Sequence, residues 1–375
     1  MYDCVIVGAG PAGSSVAYHL AKQGHSVLLL ERAALPRYKP CSGALSPIVA
    51  DWFDFDFEPV IERKMRRVRY TWKLGDEITS ELDTRDPIWI VKRDKFDHFL
   101  VKQAIAKGAL LRDNTAAKGI EFQHDTWVVK TTEGDFQGRY LVAADGSEGP
   151  LSKWLGFKDP KLKDGTTLEI AADIALNERC ALNFEFGLLK NGCLWCFPRQ
   201  EGYVIGAATF LGNAPKNYQT ALEEYASTFA ASMEPKQTYT HSLKFWESNR
   251  PLHTQQAVLV GEAAAIVDPL TAEGIRHGMY SGMKAAEAIH KALQGDSYAL
   301  LGYTEAMYEW GNNMQWAQRI SQVFFRVPGI GYRVGIKRPT ATTRMGQLLA
   351  GDIQYSDIAN RVIKRLSTGL IPGRH

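Results

Sequence analysis

Residues 2–31 read YDCVIVGAGPAGSSVAYHLAKQGHSVLLLE, and this stretch decides the fold of the chain. Residues 4–7 form a short apolar run, which is typical of a buried parallel strand. Residues 14–23 have the composition of a helix, and residues 26–30 form a second apolar run. A strand, a helix and another strand within about thirty residues predict a βαβ unit with parallel strands.

Three glycines and one acidic residue indicate what this βαβ unit binds. Gly8, Gly10 and Gly13 have the G-x-G-x-x-G spacing, and Glu31 follows Gly10 by 21 residues. In such a unit the glycines allow a tight turn, close approach to a pyrophosphate and close packing of helix on strand. The acid accepts hydrogen bonds from a ribose, and it favours FAD or NAD over NADP because it repels a 2′-phosphate. The sequence therefore predicts a dinucleotide site, the alternative being an ordinary glycine turn.

Composition bounds the class of protein. The chain has 375 residues, of which 45% are hydrophobic and 23% charged, as expected for a soluble globular protein of two domains. No apolar run approaches the roughly 18–20 residues of a membrane-spanning helix. The five cysteines are scattered, and the chain enters its first strand at once. We therefore expect a reducing, cytoplasmic location without a signal peptide.

The C-terminal part is basic. Residues 315–375 contain ten Lys or Arg and two Asp, an excess of eight positive charges in a chain of net charge +3. Residues 322–339, QVFFRVPGIGYRVGIKRP, mix basic residues with aromatics that we expect to be exposed. Two interpretations remain open: peripheral contact of residues 315–375 with an anionic membrane, or the solvated basic face of a C-terminal helical layer. We expect no nucleic-acid partner, because no binding module is evident.

Two further motifs indicate a family. RYLVAADGSEGPLSKWLG at residues 139–156 resembles the Asp-Gly motif of flavoprotein hydroxylases. VLVGEAAAIVDPLTAEGIRHGMYSGMKAAEAI at residues 258–289 resembles their Gly-Asp motif and the helix beside the flavin. With the glycine turn, these motifs make the chain similar to the p-hydroxybenzoate hydroxylase fold, and the resemblance implies FAD rather than NAD.

A narrower resemblance rests on two other segments. PRYKPCSGALSP at residues 36–47 resembles the P-x-x-K-P-C-G-G-G loop of the geranylgeranyl reductase family, and GCLWCFPRQEGYVIGA at residues 192–207 resembles its Y-x-W-x-F-P-K segment. Cys193 and Arg199 replace the Tyr and Lys at the ends of that segment. The substrate preference of this chain could therefore differ from that of well-known members.

The resemblance implies an α/β architecture with a Rossmann-like FAD-binding domain, an inserted antiparallel-sheet substrate domain and a helical C-terminal region. We expect a discontinuous FAD-binding domain at residues 1–65, 90–160 and 255–295. The substrate-binding domain is expected at residues 66–89 and 161–254, and the helical region at residues 296–375.

The same resemblance assigns cofactor-binding positions along the chain. They are Gly8, Gly10, Ala12, Gly13, Glu31, Arg32, Cys41, Ser42, Ala44, Arg93, Ala117, Asp145, Glu262, Gly274 and Ile275. Gly274 and Ile275 would offer backbone N–H groups to the flavin pyrimidine edge at a helix N-terminus. Glu262 stands where the family usually has Asp, and its longer side chain would need a local shift to contact the ribityl chain.

The reaction that the resemblance implies is saturation of isolated C=C bonds in a prenyl chain. Such bonds are not polarised, so a proton must reach one carbon as a hydride reaches the other. Cys41 is our candidate to supply or support that proton, the alternative being a buried structural thiol. Trp195 and Phe197 alternate on a predicted strand and are expected to line a slot for the prenyl chain, or to pack in the core.

Other patterns are weaker. Cys193 and Cys196 lie in a predicted strand, which favours structural or incidental thiols over a redox or metal site. Arg276 and His277 could bind a phosphate, tune the flavin or form an ordinary helix surface. We expect no metal site. A second G-x-G-x-x-G unit is missing, so electrons would come from docked NADPH or from a ferredoxin, and the sequence does not decide between them.

Two competing functions remain. The first is an FAD-dependent monooxygenase of the same fold, which would consume oxygen. The second is a non-catalytic FAD- or lipid-binding protein, for which Glu262 is the one hint in the sequence. The halogenases are disfavoured because their W-x-W-x-I-P segment is missing.

Overall fold

The computed structural model describes residues 1–171, 180–229 and 237–360. The strands, in chain order, are β1 (Tyr2–Val7), β2 (Val27–Leu30), β3 (Ala44–Leu45), β4 (Ile61–Met65), β5 (Arg67–Trp72), β6 (Gly75–Glu81), β7 (Ile88–Val91), β8 (Leu110–Arg112), β9 (Ala117–Gln123), β10 (Thr126–Thr131), β11 (Gly134–Ala143), β12 (Lys163–Ile170), β13 (Leu182–Phe186), β14 (Gly192–Arg199), β15 (Gly202–Thr209), β16 (Gln237–Leu243), β17 (His253–Thr254) and β18 (Ala257–Leu259). The helices are α1 (Pro11–Lys22), α2 (Arg93–Ala106), α3 (Leu151–Trp154), α4 (Tyr218–Ser227), α5 (Ile275–Leu293), α6 (Ala299–Arg326), α7 (Pro328–Gly335) and α8 (Pro339–Ala350).

The first sheet contains the predicted βαβ unit. Its order is β17-β18-β11-β1-β2-β8, and the β9–β10 hairpin extends from β11. β1 pairs in parallel with β2 and with β11, and β11 pairs in parallel with β18. The last four residues of β1 are buried, because helices cover the sheet and a strand of this kind has no solvent side. The predicted α/β fold class is confirmed.

Helix α1 is clamped between the sheet and α5. The Ser15 hydroxyl donates to the carbonyl of Met279 at 2.8 Å. A Cβ at Gly282 would lie 2.4 Å from the carbonyl oxygen of Ala12, so the two helices approach closely only because this position is Gly. This contact fixes the N-terminus of α1 at the carboxyl end of β1.

The second sheet has the order β16-β12-β15-β14-β13-β5-β6. Its pairings are antiparallel, as expected, except that β5 and β13 are parallel. β5 precedes β13 by a long connection that runs through the first sheet, and parallel neighbours need such a crossover. A short sheet, β3-β7-β4, lies beside both. The predicted domain boundaries stay a prediction; β5, β6 and β12–β16 all lie on residues assigned to the substrate domain.

The C-terminal helices cover the second sheet. Phe324, Phe325 and Tyr332 are 9%, 2% and 1% exposed, so the prediction of exposed aromatics in residues 322–339 is wrong. Phe324 packs edge-on against Phe186 of β13, and Phe325 stacks on Phe210. The aromatics therefore anchor α6 and α7 on the sheet. Among the helices of the described residues, none has both the length and the apolar character needed to cross a membrane. The predicted helical region continues to residue 375, but residues 361–375 lie outside the described part.

Candidate functional site

A cavity of about 500 Å³ lies between the first sheet, the loop at residues 36–46 and the second sheet. Its volume is in the range of small-molecule and cofactor sites. The structure brings almost all of the predicted site residues to its wall: Gly8, Gly10, Ala12, Glu31, Arg32, Cys41, Ser42, Ala44, Arg93, Ala117, Asp145, Trp195, Phe197, Glu262, Gly274 and Ile275. Gly13 is not on the wall and instead packs behind Gly8.

The glycine turn forms one end of the cavity. Gly8 has φ +109°, and a Cβ there would lie 2.2 Å from the carbonyl oxygen of Ala144. A Cβ at Gly13 would lie 1.9 Å from the carbonyl oxygen of Gly8, so helix and strand touch at that point. A Cβ at Gly10 would meet nothing closer than Arg37 Nη2 at 3.9 Å. Gly10 thus faces open space at the N-terminus of α1, which is the geometry that a pyrophosphate requires.

Glu31 lies at the end of β2 and is buried. Its Oε2 accepts from the backbone N–H of Ala9 at 3.1 Å, and its Oε1 accepts from that of Ala33 at 3.2 Å. Arg37 Nε lies 3.2 Å from Oε2. These contacts hold the carboxylate on the cavity wall beside the glycine turn, where the sequence predicted the ribose of the dinucleotide.

A buried charge network continues from Arg37. Arg37 Nη1 donates to Asp97 Oδ2 at 2.9 Å, while Arg93 donates from Nε to Oδ1 at 2.6 Å and from Nη2 to Oδ2 at 2.7 Å. Burial lowers the pKa of Arg93, but the charge and hydrogen bonds of Asp97 outweigh this effect and hold that pKa above its ordinary value. Asp97 is fully buried on α2 and was missed in the sequence, where its only signal is its position four residues after Arg93.

The Cys41 loop is held from the second sheet. Arg199 Nη2 donates to the carbonyl of Cys41 at 2.9 Å, and its Nη1 donates to the carbonyl of Val91 at 2.5 Å. Trp195 Nε1 donates to Ser42 Oγ. Gly43 has φ +75°, and a Cβ there would lie 1.9 Å from the Val91 carbonyl oxygen. These contacts hold the loop against the second sheet, with the Cys41 side chain on the cavity wall.

The Cys41 thiol has two polar neighbours. Its Sγ accepts from the backbone N–H of Gly43 at 3.3 Å. The guanidinium of Arg93 lies near it and interacts with it electrostatically.

An apolar arm of the cavity extends along β13 and β14. Phe197 is buried, and the Trp195 indole occupies the space left by Gly206, where a Cβ would lie 2.2 Å from Trp195 Cε2. Other apolar side chains that line this arm are Leu182, Phe184, Leu243, Val267 and Leu349. Both predictions for Trp195 and Phe197 are compatible with this placement, since each side chain lines the cavity and also packs against the core of the second sheet.

Cys193 and Cys196 lie on opposite faces of β14. Cys193 belongs to the core cluster shared with Phe197, and Cys196 to the cluster beneath α4. Burial raises the pKa of both thiols above the usual range. Two residues three apart on a strand point in opposite directions, so these thiols cannot join in a disulfide or share a metal. Over the described ranges, no group of three or more His, Cys, Asp or Glu side chains is arranged to hold a metal ion.

Two further carboxyls line the middle of the cavity. Burial raises the pKa of Asp145 to about 6, although its Oδ2 accepts from the backbone N–H of Leu151 at 2.9 Å. Its Oδ1 is buried without a partner among the described residues. Glu262 Oε1 accepts from the backbone N–H of Lys244 at 3.2 Å, and burial raises its pKa. The longer Glu side chain thus reaches a backbone donor while remaining on the wall, and its contact with a ribityl chain stays a prediction.

Glu273 lies at the far end of the cavity, just before Gly274 and Ile275, and sequence reasoning missed it. Burial raises its pKa to about 7, against the lowering effect of Arg276. Its Oε2 accepts from Arg276 Nη2 at 2.6 Å, while its Oε1 is buried without a partner among the described residues. At neutral pH this carboxyl is therefore partly protonated, and Glu273 is one of the residues that line the cavity.

His277 lies behind Glu273. Its Nδ1 accepts from Trp310 Nε1 at 3.0 Å, and its Nε2 lies 3.7 Å from Glu273 Oε2. Burial, with help from Arg276, lowers the pKa of His277 well below its ordinary value. The imidazole is thus neutral with its proton on Nε2, and this N–H makes no hydrogen bond among the described residues. Neither Arg276 nor His277 lies on an ordinary helix surface.

These features fit FAD. The glycine turn leaves space at Gly10, Glu31 is held at the ribose position, and Asp145 and Glu273, each with a buried oxygen that lacks a partner among the described residues, line the cavity. An extended ligand with polar groups along its length and a flat ring at one end satisfies this set.

Comparison with known proteins also indicates that the chain binds FAD. The model of a family described as FAD binding domain matches residues 1–308. An uncharacterized protein of Methanosarcina barkeri is 31% identical over 78% of this chain and 76% of its own length. Digeranylgeranylglycerophospholipid reductases of Thermoplasma acidophilum and Methanocaldococcus jannaschii are 25% and 27% identical, over 80% and 78% of this chain and the same shares of their own lengths.

Solved structures share the fold. A geranylgeranyl bacteriochlorophyll reductase-like protein of Thermoplasma acidophilum has a TM-score of 0.78 and 21% identity, covering 86% of this chain and 87% of that one. A flavin-dependent brominase has a TM-score of 0.76 and 19% identity, covering 98% of this chain and 99% of that one. At these identities the two structures show the architecture alone.

Proposed function

Since this chain belongs to the FAD-binding domain family, as a flavoprotein oxidoreductase related to the geranylgeranyl reductases, we propose that it saturates isolated C=C bonds of a prenyl chain. The substrate class is a geranylgeranyl-type chain carried by a lipid, a diphosphate, a quinone or a pigment precursor. FAD is the cofactor, and the electron donor is NADPH or a ferredoxin.

One observation carries the proposal. The apolar arm along β13 and β14 and the polar cleft at the glycine turn are parts of one cavity, and the Cys41 loop lies where they meet. A hydrocarbon chain suits the arm, because its walls are aromatic and aliphatic and exclude water. An aromatic ring alone would not need an arm of this kind. The related reductases, which act on geranylgeranyl lipids by name, support the same choice.

The chemistry needs a hydride equivalent and a proton on adjacent carbons. Reduced FAD supplies the hydride equivalent when it is bound. The chain supplies the rest: the arm orients the alkene and excludes water, and the Cys41 thiol donates the proton to the second carbon. The sulfur keeps the electron pair of its S–H bond as a thiolate, which Arg93 stabilises until solvent returns the proton.

Glu273 is the second protic group of the cavity. Its pKa of about 7 leaves a large share of the carboxyl protonated at neutral pH, and its Oε1 has no partner in the part of the chain that the structure describes. We assign it to the end of the flavin next to Gly274 and Ile275, where a neutral carboxyl can donate a hydrogen bond. Cys41 remains the assigned acid because its loop borders the apolar arm.

The test is anaerobic incubation of the reduced holoprotein with a panel of prenyl lipids, diphosphates and quinones, followed by mass spectrometry. The proposal expects a gain of two hydrogens per reduced bond, and loss of most of that product in Cys41→Ser with FAD still bound. Substrate-coupled oxygen consumption with insertion of an oxygen atom would instead establish a monooxygenase. A colourless protein that cannot be reconstituted with FAD would establish the non-catalytic alternative.

A further inference from the structure

An exposed aliphatic ridge runs along the end of α6 and along α7. Val323, Val327, Ile330 and Val334 are 68%, 44%, 63% and 50% exposed. Val323 and Val327 are one turn apart at the end of α6, and Ile330 and Val334 are one turn apart on α7. The chain bends at Val327, which has φ −130° and ψ 64°, and the N–H groups of Ile330 and Gly331 donate to its carbonyl at 3.0 Å in the first turn of α7.

The ridge belongs to a well-packed part of the molecule. On the opposite face of the same helices, Phe324, Phe325 and Tyr332 are buried. The Tyr332 hydroxyl donates to the carbonyl of Tyr70 at 3.3 Å and also to that of Asp76. Because the inner face of these helices is packed in this way, the ridge is held on the outside of the protein. Exposed apolar patches rimmed by polar residues are typical of surfaces that contact a membrane or another protein.

The end of α6 and the whole of α7, which carry the ridge, have only basic charged residues, and the acidic neighbours Asp76 and Glu77 lie on β6 beside α7. Residues 310–351 contain no Asp or Glu and six basic residues: Arg319, Arg326, Arg333, Lys337, Arg338 and Arg344. Four of these, Arg326, Arg333, Lys337 and Arg338, are exposed. Lys337 binds Asp76, whereas Arg326, Arg333 and Arg338 have no ion-pair partner within the described ranges. The aliphatic side chains are therefore interleaved with positive charges that remain to be neutralised.

We propose that this ridge docks the protein on the surface of an anionic phospholipid bilayer. Aliphatic side chains enter the boundary between headgroups and acyl chains, while Arg326, Arg333 and Arg338 contact the phosphates. A second copy of the chain is a poor occupant, because symmetric pairing would bring two positively charged surfaces together. The proposal goes beyond the prenyl reductase assignment and does not depend on it.

The ridge lies one layer away from the apolar arm of the cavity. Phe324 contacts Phe186 with ring centroids 5.2 Å apart, and Phe186 lies on β13, the strand that carries Phe184 to the cavity wall. Docking through the ridge would therefore hold the prenyl-binding end of the cavity near the membrane.

The test uses the full-length, FAD-loaded protein and sedimentation with vesicles. Vesicles of phosphatidylcholine mixed with phosphatidylglycerol are compared with vesicles of phosphatidylcholine alone. We expect binding to the anionic vesicles only, weakened by salt. Each basic residue near such a surface contributes about fivefold to the partition coefficient, so Arg333→Gln with Arg338→Gln should reduce binding roughly 25-fold. Val327→Asp with Ile330→Asp should reduce it at least as much.

Matched controls are available elsewhere on the surface. Leu110 and Ile105 are exposed aliphatic residues, and Lys153 and Lys161 are exposed basic residues, all outside the C-terminal helices. Leu110→Asp with Ile105→Asp and Lys153→Gln with Lys161→Gln should leave vesicle binding unchanged. FAD absorbance and thermal unfolding check that each variant folds. If Val327→Asp with Ile330→Asp does not fold, Arg333→Gln with Arg338→Gln still tests the surface.

Three outcomes would overturn the proposal. Wild-type protein could fail to bind anionic vesicles, or the ridge variants could bind as well as the controls. Alternatively, the wild type could sediment as a dimer in solution that Val327→Asp with Ile330→Asp converts to a monomer, which would make the ridge a contact between copies of the chain. Loss of prenyl reduction in solution, with vesicle binding retained, would count against the proposed function alone.

Discussion

Replacing Asp97 by Asn removes the carboxylate that both Arg37 and Arg93 bind. Asp97 is fully buried, and the side chains of Arg37 and Arg93 are only 16% and 11% exposed. Asn retains one acceptor oxygen, but its NH₂ group is a hydrogen-bond donor. This group would face the N–H donors of the two guanidinium groups, which cannot accept from it. After the substitution, Arg37 keeps its contact with Glu31, while Arg93 loses the carboxylate that is its ion-pair partner among the described residues.

The size of the effect follows from what is left unpaired. The carboxylate accepts three charge-assisted hydrogen bonds, at 2.6, 2.7 and 2.9 Å. Removing one member of a buried ion pair costs about 3–5 kcal/mol, since the remaining charge stays buried without compensation. We therefore expect the free energy of unfolding to fall by about 3–5 kcal/mol in Asp97→Asn.

Urea unfolding measures this change, on the apoprotein and again with saturating FAD. The matched control is Asp54→Asn. Asp54 forms ion pairs with Lys22 and Lys107, and the three side chains are 42%, 46% and 34% exposed. Such exposed ion pairs should contribute less than about 1 kcal/mol. A loss in Asp97→Asn no larger than that of the control would refute the reasoning that this network is a buried and mutually dependent unit.

Three other predictions concern the cavity wall. Gly43→Ala should destabilise the protein by several kcal/mol and weaken FAD binding, because its Cβ would collide with the Val91 carbonyl; calorimetry showing an unchanged melting temperature would contradict this. The folded-state pKa of Glu273 is raised from 4.5 to about 7, so the free energy of unfolding of the wild type falls as pH rises between these values. The neutral side chain of Glu273→Gln does not titrate, so the free energy of unfolding of this variant should rise by roughly 3 kcal/mol relative to that of the wild type between pH 4 and pH 8. Urea unfolding across that pH range should show this gain, and a constant difference would exclude it. Trp195→Ala should shift the preferred prenyl length in competition assays, whereas lower stability with unchanged preference would assign Trp195 to the core.

The local part of the site could be predicted from the sequence. Gly8, Gly10, Gly13 and Glu31 lie within one βαβ unit, where covalent spacing alone fixes the turn, the helix N-terminus and the end of the second strand. The structure has this unit as predicted, including the close packing of helix on strand at Gly13, although Gly13 does not line the cavity. The Cys41 loop also lies on the cavity wall, as its resemblance to the geranylgeranyl reductases implied.

The long-range part could not be predicted. Arg37 and Asp97 are 60 residues apart, and Arg199 and Cys41 are 158 apart. A single sequence gives no indication that such residues meet, because the pairing depends on how the sheets pack. The unpartnered oxygen of Glu273 was missed for the same reason: its burial comes from packing of the loop before α5, which composition does not report.

The C-terminal helices show a different limit. Alternating basic and apolar residues indicated an exposed surface, but pattern alone did not separate the two faces of α6 and α7. The large aromatics Phe324 and Tyr332 fill the inward face because they bury the most apolar area there, and the smaller Val and Ile side chains remain outside.

The central claim is that one cavity presents FAD and a prenyl chain to each other. Anaerobic mixing of the reduced holoprotein with a geranylgeranyl lipid, followed by flavin absorbance, tests it most directly. The account predicts that the lipid reoxidises the flavin without oxygen, and that Cys41→Ser slows this step while FAD stays bound. Flavin that remains reduced with every prenyl substrate and is reoxidised only when oxygen enters would contradict the account.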